Sequence, residues 1–147
     1  MHSRHHTHIC VLLAAFCLFL AYYSYDIYLN MHGPDAISCT AGCSTVQFST
    51  YGTFAGIPVS VLGAVLFTLQ ALILAWHAIH PHKRVVGKLV HASFIIAPLG
   101  AFAFIGIQKF VLGAWCQQCL VVDVGALLGA AFWWGTLLLL AKPPKPL

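Results

Sequence analysis

Four long apolar runs separated by short polar breaks dominate the chain. They extend from Ile9 to about Leu29, from about Pro58 to Ile79, from about Leu89 to Leu112 and from about Cys116 to Ala141. A hydrocarbon core of about 30 Å takes about 20 helical residues to cross, and each run is long enough. The pattern predicts an all-α membrane protein, a single domain over 1–147 folded as a four-transmembrane-helix bundle. The segment 30–57 is left as one large loop capping the bundle. Tyr22, Tyr23, Tyr25 and Tyr28 close the first helix as an interfacial aromatic belt. Pro58 suits the first position of the second helix, Pro98 predicts a kink in the third, and Lys142, Pro143 and Pro144 stop the fourth. Gly125 and Gly129 form a GxxxG in the fourth helix, which predicts close helix packing within or between chains.

Composition supports the same class. Only 7% of the residues are charged, where a soluble domain carries roughly 25%. The net charge of +4 comes from basic residues scattered at helix ends, which form no patch for nucleic acid. Their distribution orients the bundle instead. Arg4, Lys83, Arg84, Lys88, Lys142 and Lys145 fall on one side and Lys109 alone on the other, with Asp26, Asp35 and Asp123 towards Lys109. The positive-inside rule then places both termini in the cytoplasm, and the 30–57 loop and the 110–115 turn outside. The first helix is too long for a signal-peptide core and lacks a small-x-small cleavage site, so it is expected to stay. His2, His5, His6 and His8 are expected to form a mobile tail ahead of it.

The cysteines carry the candidate chemistry. Cys10 and Cys17 lie seven residues apart on one face of the first helix and are expected to be inert core thiols. The other four gather at the outer face: Cys39 and Cys43 in the large loop, and Cys116 and Cys119 as a CxxC opening the fourth helix. Two structural staples are one reading, because disulfides persist on that side of a membrane. Bridging so short a loop as CxxC removes little chain entropy, however, which makes it a poor staple. At a helix N-terminus the unsatisfied N–H groups and the macrodipole stabilise a thiolate, the species that attacks disulfides. A zinc site from all four thiolates is a further alternative. The small residues around Cys39 suit a moving arm better than a frozen ligand loop. The remainder of the loop, 44–56, suits a short amphipathic or re-entrant cap.

Asp123 stands four residues after Cys119, on the same helical face and one turn deeper. An acid in mid-membrane costs about 2.5–3.5 kcal/mol on insertion scales. Two readings stay open: a carboxylate tolerated by the helix dipole, and a proton carrier or hydrogen-bond partner for a ligand beside Cys119.

In this ordered combination the chain resembles the vitamin K epoxide reductase family, which includes bacterial disulfide-generating enzymes. The likeness runs through Cys43-Ser44, Ser49-Thr50-Tyr51-Gly52, Gly56-Ile57-Pro58, Gly63 and the CxxC. It implies a quinone-dependent thiol–disulfide oxidoreductase of a bacterial inner membrane, with the cysteine pairs on the periplasmic side. The cofactor implied is a quinone such as ubiquinone or menaquinone. The partner implied is a separate thioredoxin-like, DsbA-type protein. By the same likeness, Cys119 meets the quinone and Cys116 exchanges with the loop. Cys43 attacks Cys116, Cys39 faces the partner, and Ser49 supports the loop segment.

The chain departs from the family in three places. The Cys39–Cys43 gap is short, Val59 stands where the vertebrate enzymes have a hydrogen-bonding Asn, and Asp123 stands where they have a Tyr. With Val59 and Asp123 in the cofactor-binding set, the resemblance implies an ordinary respiratory quinone rather than a vitamin K epoxide. A rival of another class is a membrane carrier for a soft metal such as mercury, passing the ion between cysteine pairs. On that reading Cys10 and Cys17 would take part.

Overall fold

The computed structural model describes residues 2–32 and 41–141. Five helices, one π-helical turn and a small hairpin follow in order: α1 (His2–His32), α2 (Ala41–Gln47), β1 (Thr53–Phe54), β2 (Ile57–Pro58), α3 (Val59–Ile79), α4 (Arg84–Gly106), the π-turn (Ile107–Leu112) and α5 (Gln117–Ala141). Four segments are long and apolar enough to cross a membrane: His5–His32, Val59–Ile79, Arg84–Leu112 and Gln117–Leu139. The chain is thus an all-α four-helix membrane bundle. The loop residues Asp35 and Cys39, and the basic residues Lys142 and Lys145, lie outside the described residues.

The helices run past the apolar stretches that announce them. α1 begins at His2 and reaches His32, and the third span begins at Arg84 rather than near Leu89. Hydropathy marks only the part that crosses hydrocarbon, whereas backbone hydrogen bonding continues through the interfacial layers. The histidine-rich segment is therefore helical, not a mobile tail. The His6 ring meets His77 edge-on, with centroids 5.2 Å apart, and Trp133 at 6.4 Å, which pins the first turns of α1 to α3 and α5. Pro58 caps α3 from outside, with Val59 the first helical residue. α4 continues through Pro98, and the irregular winding falls instead at Ile107–Leu112.

The interior is stacked in three levels. At the end near the α3–α4 turn, Cys10, Leu13, Cys17, Leu74, Phe94 and Trp133 belong to one buried cluster. Leu20, Ile27, Phe67, Ala101, Val122 and Ala126 belong to the middle one. Cys43, Val46, Cys116 and Cys119 make the outer one, where α2 lies across the bundle. The outward faces stay apolar, with Leu12, Phe19, Leu72, Ile96 and Leu128 exposed, because lipid solvates them as well as a protein core would.

With no hydrophobic gain from burying one helix on another in lipid, close contact depends on small residues. A Cβ added at Gly63 would fall 2.6 Å from Ser24 Oγ, whose hydroxyl donates to the Ser60 carbonyl at 2.8 Å and joins α1 to α3. A Cβ at Gly125 would fall 2.6 Å from Leu20 Cδ2, and one at Gly129 would lie 3.4 Å from Phe16 Cε1. The GxxxG therefore seats α5 on α1 within one chain.

Gly125→Val is expected to lower stability by about 1–3 kcal/mol through overpacking against buried Leu20. Gly135→Ala, where a Cβ meets nothing within 4 Å, should change little. Thermal unfolding of the two variants in the same detergent checks the contrast.

Candidate functional site

The outer level is built around the start of α5. A helix opens with backbone N–H groups that have no partner inside it, and here that opening is buried: Cys116 is 0% exposed. Two devices satisfy it. The Cys116 N–H donates to Gln108 Oε1 at 2.9 Å. The Cys119 N–H donates to Cys116 Sγ at 3.2 Å, so the cysteine sulfur does what a Ser or Asp oxygen does at an ordinary N-cap. Cys116 and Cys119 are joined in a disulfide, with Cα atoms 5.2 Å apart.

Gln108 reaches Cys116 because of the π-turn. Gly113 ends that turn in the left-handed conformation at φ 59°, where a glycine carries no Cβ penalty. The Gly113 N–H and the Ala114 N–H both donate to the Gln108 carbonyl, the second at 3.2 Å. The chain thereby folds back so that a residue eight positions earlier caps the next helix. The other end of the same amide donates from Nε2 to Asp123 Oδ2 at 3.5 Å. Gln108 is fully buried and Asp123 is nine-tenths buried, so the CxxC and the acid are connected through one side chain.

α2 covers the disulfide. Cys43 and Val46 pack in one cluster with Cys116 and Cys119, and Cys43 is 1% exposed. Gln47, one turn after Cys43, donates from Nε2 to Cys119 Sγ at 3.2 Å. Gly42 makes the docking possible: a Cβ there would run into the backbone carbonyl of Trp115. Ser49 holds the turn that follows, donating to the Val46 carbonyl at 2.7 Å and accepting from the Gly52 N–H at 3.1 Å. Its hydroxyl is spent on backbone. Instead of the amphipathic or re-entrant segment expected over 44–56, the cap is this earlier helix followed by the Thr53–Pro58 hairpin. Gly52 ties the hairpin to α3 by accepting from the Val59 N–H at 2.9 Å.

Beneath the disulfide lies a cavity of about 270 Å³. Cys119, Gln47 and Asp123 line it at the disulfide end, with Val59, Ser60 and Gly63 of α3 beside them and Phe67 and Gln70 deeper. Most of the wall is apolar. Ser60 is the exception that stands out, because its Oγ is buried with no hydrogen-bond partner among the described residues. Leu66 and Ile96 also line the cavity, and they are 53% and 66% exposed on the outer surface. The cavity therefore opens sideways, between α3 and α4.

Of the residues singled out from sequence, Cys119, Asp123 and Val59 line this space, Cys43 and Cys116 pack with Cys119 in the outer cluster, and Ser49 braces the cap. Cys10 and Cys17 do not join them; both are buried in the innermost level. Gln47, Ser60 and Gln108 were not singled out. For Ser60 and Gln108 the available signal was an uncharged polar residue in a largely apolar run; Gln47, among Ser44, Thr45, Ser49 and Thr50, carried none.

Fold and site define a membrane-embedded redox protein with a buried disulfide at a helix N-terminus. Comparison with protein families agrees: residues 8–140 match the Vitamin K epoxide reductase family, and no curated protein matches the chain. The chain belongs to the vitamin K epoxide reductase family, and so to a family of membrane oxidoreductases.

Gly42→Ala is expected to loosen α2 from Trp115, because a backbone carbonyl cannot be moved aside as a side-chain tip can. If the clash takes about 1.4 kcal/mol from docking, alkylation of Cys43 after reduction should quicken about tenfold. An unchanged rate would mean that α2 docks elsewhere than on Trp115.

Proposed function

We propose that the chain is a quinone-linked thiol–disulfide oxidoreductase that generates disulfides in a separate thioredoxin-like, DsbA-type partner. The observation that carries this is the cavity opening directly off Cys119. It combines an apolar wall, a lateral opening to lipid, an orphaned Ser60 hydroxyl and the carboxyl of Asp123. That set fits a flat, lipid-soluble ring bearing carbonyl groups. Ser60 Oγ would donate to a ring oxygen, Val59 and Phe67 would pack the ring, and Asp123 would exchange a proton. A quinone bound there supplies a two-electron, two-proton acceptor.

The thiol steps follow the order that the family resemblance implies, and the packing of Cys43 with Cys116 and Cys119 supports it. Cys43, as a thiolate, attacks Cys116; a Cys43–Cys116 bond forms and Cys119 leaves as a thiolate facing the cavity. Cys39 then attacks Cys43, forming a Cys39–Cys43 disulfide that oxidises the partner and returning Cys116 as a thiol. Re-forming the Cys116–Cys119 bond releases two electrons and two protons from the pair. Asp123, one turn below Cys119, is placed to move a proton at the cavity wall. Each exchange needs a thiolate and access to the sulfur attacked. The orientation that goes with this reading puts both termini in the cytoplasm of a bacterial inner membrane and the four outer cysteines in the periplasm.

Protein purified in mild detergent is expected to yield a quinone on solvent extraction. Ser60→Ala should weaken retention of added quinone by roughly 2- to 10-fold, the worth of one hydrogen bond. Absence of quinone, together with partner oxidation that added quinone does not stimulate, would overturn the reading.

The order of exchange is tested separately. Cys39→Ser closes the forward exit from the mixed disulfide, so Cys43–Cys116 should accumulate. Limited proteolysis at Lys83–Arg84, in the turn before α4, should then leave two halves joined until reductant is added. Halves that separate under non-reducing conditions, after alkylation in acid to stop reshuffling, would mean that another cysteine makes the attack.

A further inference from the structure

Gln47 follows Cys43 by one turn of α2, so one short helix carries both the thiol that attacks and an amide that reaches the sulfur that leaves. Gln47 Nε2 lies 3.2 Å from Cys119 Sγ, and Gln47 is 5% exposed. Its position is held from two sides: Gly42 seats α2 on the Trp115 carbonyl, and a Cβ at Gly52 would run into the Gln47 carbonyl. The backbone that carries the amide is fixed by its surroundings.

In the resting disulfide this hydrogen bond is weak, because a neutral sulfur is a poor acceptor. The exchange step changes that. When Cys43 Sγ bonds to Cys116 Sγ, the Cys116–Cys119 bond breaks and its electron pair remains on Cys119 Sγ. No electrons enter or leave the protein, and the proton that Cys43 lost has already gone to the outer aqueous phase. The same N–H now faces a full negative charge in apolar surroundings, where a charge-assisted hydrogen bond is roughly twice as strong as a neutral one. Interactions stronger after charge develops than before it are those that speed a step. The groups nearest Cys119 otherwise give little help. Its own N–H points to Cys116 Sγ, and Asp123, one turn deeper on the same wall, would repel a thiolate if ionised.

We propose that Gln47 is a catalytic residue of the exchange: it holds the Cys119 thiolate as that sulfur leaves, and can do so only while α2 is docked. The inference rests on the order of attack given under the proposed function. It makes attack by Cys43 and stabilisation of the leaving sulfur two consequences of one docking event. A loop that brings its thiol without its amide would release Cys119 without the Gln47 donor.

The test needs neither quinone nor partner. In protein with Cys39, Cys43 and Cys116 all replaced by Ser, Cys119 is the one outer thiol left, and a small alkylating reagent reads its thiolate fraction by mass spectrometry. Gln47→Met keeps the side chain's length and removes the donor. In that background it should slow alkylation of Cys119 about tenfold at neutral pH, equivalent to about 1.4 kcal/mol. At a pH high enough to ionise every thiol, the rates with Gln and Met should differ little. Equal rates at neutral pH would overturn the proposal. The same slowing at both pH values would also overturn it, because that marks lost access and not lost thiolate. Gln47→Leu gives a second apolar replacement if the Met protein does not fold. A chain that never uses quinone would leave this measurement untouched, so the two readings fail separately.

Discussion

A helix that begins inside an apolar bundle has no water for its first N–H groups, and this constraint organises the outer end of the molecule. Cys116 and Cys119 stand at that beginning. Their N–H groups are met by the Gln108 amide and by the Cys116 sulfur, so the disulfide belongs to the cap of α5. The π-turn and the left-handed Gly113 exist in the service of the same requirement, since a regular helix ending would not return Gln108 to Cys116. The reactive pair thus sits at the positive end of the helix dipole as part of the solution to a backbone problem. Chemistry and backbone satisfaction use the same atoms.

Packing elsewhere in the bundle follows from the solvent being lipid. Gly63 and Gly125 let α3 and α5 approach α1, and Ser24 adds a hydrogen bond across the first of these contacts. Against that close fit, the space below Cys119 is where side chains do not meet. Among the polar groups that line it, Gln47 pairs with Cys119 and Ser24 with the Ser60 carbonyl, as buried polar groups usually do. Ser60, which also lines the space, keeps a buried Oγ with no hydrogen-bond partner among the described residues. Cys10 and Cys17, by contrast, are buried in the cluster at the α3–α4 end and do not line this cavity.

How much of this could be read from sequence varies by level. The four spans and the pairing of Cys119 with Asp123 on one face were legible because periodicity and spacing fix them locally, and the gathering of Cys43 with the CxxC was legible from the charge-derived membrane side and the family resemblance. The ends of α1 and α4 were not, since hydropathy falls where the chain enters the headgroup layer while the helix goes on. The roles of Gln47 and Gln108 were invisible for a different reason. Each depends on two segments meeting, α2 on α5 in one case and the π-turn on α5 in the other, and a single polar residue carries no mark of what it will face. Ser49 shows the converse: its place in the motif was evident, whereas its work, bonding the backbone of its own turn, was not. Cys39 was legible as one of the outer thiols and lies beyond the described residues.

The opening between Leu66 and Ile96 has a consequence for how occupancy of the cavity is to be expressed. A molecule that enters from the bilayer is drawn from a two-dimensional reservoir, and its chemical potential is set by its mole fraction in lipid rather than by its concentration in buffer. An apparent affinity in detergent therefore contains the ratio of micelle volume to total volume, and diluting the micelles at fixed total ligand should tighten it. Oxidation and reduction at Cys119 would then answer to the state of the membrane's own pool, while the thiols on the outer side answer to the aqueous phase. On the proposed function, two phases with separate redox balances would meet across the Cys116–Cys119 bond.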